Sequence, residues 1–165
     1  MTLESRLVNP EALLSLYGSI PDLCGVAIRS VNLSPIGPTV TLRVDLPSFP
    51  AGAPREWLDA GMDAVQCQLA FLDVTEVSLA RWVPPTSGDV VMEPYGDEKR
   101  MRVSVEGRGV ALKFEAHDLA TLSHVSAFKA QADGTDSGPH CFVSKVDARL
   151  YESLPGTEVC TFYGR

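Results

Sequence analysis

Thr39-Val40-Thr41-Leu42-Arg43-Val44-Asp45-Leu46 decides the fold class. Valine and leucine take every second position, while threonine, arginine and aspartate fill the others. That period of two is what a strand with one buried and one wet face requires. Upstream, Val26, Ile28, Val31 and Leu33 form another apolar run with a phase change near Ser30, where one extra residue would make a bulge. Ser34-Pro35-Ile36-Gly37-Pro38 between them cannot continue a strand, so the two runs predict an antiparallel hairpin.

Downstream the pattern returns. Val65, Cys67, Leu69 and Phe71 alternate with Gln66, Gln68 and Ala70, and Val74–Trp82 follows after Asp73 with room only for a tight turn. Val90–Tyr95, then Met101, Val103 and Val105, then Val110, Leu112, Phe114 and Ala116 repeat it, broken at Gly96-Asp97 and Gly107–Gly109. After Asp118 comes an apolar segment from Leu119 to Phe128, and Cys141–Val143 reads as a last strand. Ser48–Pro54 is a connection leading to Trp57 and Met62 as a loop or single helical turn. Asn9-Pro10 predicts a helix start, Leu13, Leu14, Leu16 and Tyr17 its apolar face, and Gly18 its left-handed end. Val146–Leu154 would be a short helix or turn placing Tyr151 and Leu154 on the body, with Phe162 and Tyr163 as an aromatic tail. The fold expected is mainly β: antiparallel, sandwich-like or half-barrel-like, with one short N-terminal helix. The length of 165 residues suits one domain over 1–165. Val65–Val77 laid over Val110–Leu122, an offset of 45 residues, suggests an internal duplication of about 25–82 and 89–128.

Twenty-one acidic against fourteen basic residues give a net charge of −7, a field that repels phosphate backbones and anionic lipid. The expected partners therefore exclude nucleic acid and membrane. Met1–Val8 carries Glu4 and Arg6 with no apolar run, and no stretch of the chain would span a bilayer, so a cytoplasmic location is expected. Cys24, Cys67, Cys141 and Cys160 lie far apart with no CxxC pair, which speaks against a zinc ribbon and for reduced thiols.

No motif carries chemistry. His117, His124 and His140 stand at no metal-ligand spacing. His117-Asp118 sits at a strand end, where a turn histidine is the ordinary reading, and His140-Cys141 would point to opposite faces of a strand. Gly107-Arg108-Gly109 is too short to cradle a phosphate. No catalytic residue, metal or cofactor is expected. What remains is exposed charge: Asp89, Glu93, Asp97 and Glu98, with Asp133 and Asp136 from the loop 131–139, as an acidic docking surface for a protein partner. Trp57 and Trp82 read as core residues, or as anchors in the alternative of a β-sandwich or barrel holding a small ligand. A hydrolase using His117, Asp118 or His140 would need all three to converge on one cleft.

The run Gly37-Pro-Thr-Val-Thr-Leu-Arg-Val-Asp-Leu-Pro-Ser-Phe-Pro50, Trp57 after it, the strand pair Val65–Trp82, and Val103–Phe128 with its Ser126-Ala127-Phe128 resemble the immunity protein 50 family of bacterial polymorphic-toxin systems. The likeness covers roughly residues 7–130. It implies a non-enzymatic, cytoplasmic antidote that binds and neutralises a cognate toxin domain, and it supplies no catalytic residues to carry over.

Overall fold

The computed structural model describes residues 3–96 and 99–144. Asp97 and Glu98, the segment Val146–Leu154, Cys160, and the aromatic pair Phe162 and Tyr163 lie outside the described residues. Within them are nine strands: β1 (Val26–Ser34), β2 (Thr39–Asp45), β3 (Ala64–Phe71), β4 (Thr75–Trp82), β5 (Thr86–Pro94), β6 (Arg100–Gly107), β7 (Val110–His117), β8 (Ala120–Phe128) and β9 (Cys141–Phe142). They form one open antiparallel sheet in the order β4-β7-β6-β5-β1-β2-β3-β8-β9. The chain is mainly β, as its alternation requires.

The decisive stretch is β2, with Val40, Leu42 and Val44 buried and Thr39, Thr41, Arg43 and Asp45 on the other face. It forms the expected hairpin with β1, and the register slips between Ile28 and Ser30, where the phase change in sequence placed a bulge. Buried residues of β1, β2, β3, β6, β7 and β8 join one apolar cluster. Phe71 of β3 meets Phe114 of β7 edge-on at 5.1 Å, although five strand positions separate β3 from β7 across the sheet. The sheet therefore curls until its two halves turn their apolar faces to each other. Burying the inner side chains of both halves in one layer satisfies the period-two pattern of β2, β6 and β7, whereas β4 is exposed almost throughout and β3 is buried along most of its length on both faces.

One pairing differs from expectation. The turn at Asp73 is tight, yet β3 and β4 do not pair: β3 lies between β2 and β8, and β4 pairs with β7. The corner is held by the opposite half of the sheet. Arg100 Nη1 donates to the Asp73 carbonyl at 2.7 Å and its carboxylate at 2.9 Å, Arg100 Nη2 donates to Thr75 Oγ1 at 2.8 Å, and the His117 N–H donates to the Leu72 carbonyl at 3.0 Å. At Asp118 the chain crosses back, so β8 joins β3 rather than β7. Outward from the central β1·β5 pair, the order is β2, β3, β8 on one side and β6, β7, β4 on the other.

The short helix α1 (Glu11–Tyr17) ends at Gly18 in a left-handed conformation, φ 75°, with its N–H on the Leu14 carbonyl, as predicted. Asn9, however, does not cap it. Its amide pairs both ways with Leu122 of β8, Nδ2 donating to the carbonyl at 2.7 Å and Oδ1 accepting the N–H at 3.0 Å. An asparagine amide reproduces the donor and acceptor of a peptide unit, and two bonds on a strand edge outweigh one cap. A second helical turn, α2 (Arg55–Asp59), buries Trp57 against Phe49, ring centroids 6.4 Å apart. Trp82 ends β4 half-buried against the core.

Candidate functional site

The outward residues of β5, β6 and β7 form rows of charge. Glu93 lies opposite Arg102 and Arg102 opposite Glu115, while Asp89 faces Glu106. Arg102 Nη2 reaches Glu115 at 3.3 Å and its guanidinium lies 4.1 Å from the Tyr95 ring, and Lys113 Nζ reaches Glu106 at 3.3 Å. These exposed pairs each add little stability. Among the described residues they keep this face largely wet. Asp89 also has an internal task, accepting the Gly25 N–H at 2.7 Å where β1 begins.

The other two acids in the described residues belong to the loop 129–140, which packs on the outer face of β1, β2 and β8. Asp133 is exposed and turns back on its own loop, accepting the Thr135 N–H at 2.9 Å and hydroxyl at 2.7 Å, and these bonds lower its carboxyl pKa. Asp136 is half-buried, with Oδ1 3.8 Å from Arg43 and Oδ2 3.7 Å from His140 Nε2. So Asp89 and Glu93 stand on the face of β5, and Asp133 and Asp136 on the loop over the other half.

His140 fastens that loop. Its Nε2 is 3.0 Å from the Asp136 carbonyl, which can only accept, so Nε2 carries the proton and Nδ1 accepts the Ser126 hydroxyl at 2.8 Å. The ring stacks between Phe128, 5.1 Å away, and Phe142, 6.2 Å away. Serine, histidine and aspartate thus meet, but Ser126 is fully buried, and a nucleophile must be reachable by its substrate. The trio is a latch. Burial lowers the His140 pKa, outweighing the nearby Asp136 and Asp45, which would raise it.

The other catalytic candidates separate in space. His117 Nδ1 stays 3.3 Å from Asp118 at the corner before β8, whereas His140 binds near the far end of that strand, roughly 20 Å away at the usual rise per residue. No cleft unites them. Burial raises the thiol pKa of Cys141, and that of Cys67 to about 12, so neither is a ready thiolate. No group of three metal-ligating side chains occurs among the described residues. A hollow of about 490 Å³ with mainly apolar walls opens where α1 passes the bulge of β8 at His124, and neither Trp57 nor Trp82 lines it.

Sequence reading missed a larger cleft of about 960 Å³ between β1, β2, the segment 83–87, the turn at Arg108 and the loop at Gly134–Asp136. Three arginines line it. Arg29 is clamped to Asp45, with Nη2 to Oδ2 at 2.6 Å, and donates to the Gly134 carbonyl at 2.6 Å. Arg43 leaves its buried Nε without a hydrogen-bond partner, and Arg108 is exposed. The signals available were Arg43 on the wet face of the decisive strand and Arg108 in its glycine-flanked turn.

No curated protein and no solved structure gives a significant match to the chain. Residues 9–126 match the family model described as Immunity protein 50, which covers β1 to β7, most of β8 and α1. That span holds both halves of the sheet, and over it the chain belongs to the Immunity protein 50 family.

Proposed function

We propose that this protein is a bacterial, cytoplasmic immunity protein that binds a cognate toxin domain and neutralises it without chemistry of its own. The observation that carries this reading is the family match over 118 of 165 residues (9–126). The family is generally non-catalytic, and the buried Ser126 latch fits that character. Docking would use the exposed acidic residues, Glu93 and Asp89 on the face of β5 and Asp133 on the loop over the other half, although Asp89 also accepts the Gly25 N–H and Asp133 two bonds from Thr135. A net charge of −7 would steer them toward a basic toxin surface. The protein acts as one domain, because a single core cluster runs from Leu7 to Ala127. Its mirrored strand order is what a duplicated four-strand unit would give after exchange of its last strands.

Co-expression with the toxin domain encoded beside it tests the reading. The expected outcome is protected cells and a one-to-one complex with a nanomolar Kd, about −12 kcal/mol. Unprotected cells with no complex by calorimetry would overturn it. Charge reversal at Glu93 and Asp133 should slow association and weaken its dependence on salt.

A further inference from the structure

An acidic chain has gathered three arginines on one cleft, and their partners do not balance them. Asp45 is committed to Arg29, and Asp136 stands 3.8 Å from Arg43, two carboxylates for three guanidiniums. Arg108 has no ion pair among the described residues, and Arg43 Nε is buried with no acceptor. A buried guanidinium N–H is costly to leave unpaired, and the planar fork of arginine matches two oxygens of one carboxylate or phosphate. Beside the Arg108 turn, where Val83 and Thr86 bond Gly109, Val83, Pro84 and Pro85 supply an apolar wall, while Thr86 and Ser87 add hydroxyls. The volume of about 960 Å³ is that of a small-molecule site.

We infer that this cleft binds a small molecule through a phosphate or carboxylate group held by Arg43 and Arg108, with the ligand's apolar part against Val83, Pro84 and Pro85. Arg29, fixed by Asp45 and the Gly134 carbonyl, positions the loop that forms one rim. None of its arginines lies on the outer face of β5, but its rim is the loop that also carries Asp133, so the cleft neighbours that part of the proposed docking surface.

Calorimetric titration of the full chain with inorganic pyrophosphate and, separately, with citrate at low ionic strength tests this. The expected result is saturable one-to-one binding of at least one probe, and the probe bound more tightly names the oxyanion. Arg108→Ala, on an exposed turn, should weaken that binding about tenfold or more, and Arg43→Met should abolish it. Arg102→Ala, on the outer face of β6, should leave it unchanged. Absence of saturable heat with both probes overturns the proposal, as does equal weakening by Arg102→Ala and Arg108→Ala, which would mean diffuse attraction to surface charge.

Discussion

His140 shows how one buried side chain ties stability to pH. Its native pKa lies below the ordinary 6.5, because burial disfavours the imidazolium more than Asp136 and Asp45 favour it. The unfolded chain therefore takes up the proton first. Its contribution is complete above about pH 6.5, is lost as pH falls from there toward the native pKa, and levels off below it. Urea unfolding between pH 8 and pH 5 should show declining stability, with a shallower decline in His140→Asn. An identical slope in that variant would remove His140 from the account. None of this was legible in the sequence, where His140 is one residue in a polar loop. Its partner Ser126 belongs to a strand fourteen residues away, and only the fold brings them together.

At the scale of elements, the alternation of apolar and polar residues located the strands well. From Thr39 to Leu46 or from Val110 to Ala116, the pattern declares which side chains turn inward. It is silent on neighbours, because a strand presents the same two faces whichever strand lies beside it. That is why the tight turn at Asp73 read as a hairpin, while Arg100 and His117 from the other half hold the corner instead. The arginine cleft was hidden for the same reason, being assembled from β1, β2, a turn and a loop that only the sheet order makes neighbours. Two glycines mark where strands approach most closely. Gly88 lies opposite Gly107 in the β5·β6 ladder, and a Cβ on Gly107 would fall on the Ser87 carbonyl oxygen. Gly107→Ala should therefore destabilise the fold by about 1–3 kcal/mol, measured as a lower urea midpoint. An unchanged midpoint would show that the ladder opens there without cost.

For the whole molecule, the family likeness read from Gly37–Pro50 and Val103–Phe128 was the most informative feature of the sequence, and the family match agrees with it over residues 9–126. The surface was less legible. Charge counts gave the sign of the field, but not that Asp136 is drawn against Arg43 or that Asp89 holds the start of β1. The exchanged strands have a further consequence, for synthesis. β4 leaves the ribosome with its strand partner β7 still unmade, and β3 must wait for β8 until translation has passed Phe128. At ordinary translation speeds that wait lasts several seconds, during which a half-built sheet shows the ribosome's surroundings an unpaired edge. Nascent chains arrested at Gly107 should be cut readily by protease, whereas released full-length protein should resist. Equal resistance would mean that the first half closes on itself and is reopened later. Only a finished chain offers the completed sheet, so whatever partner this protein meets is met after release.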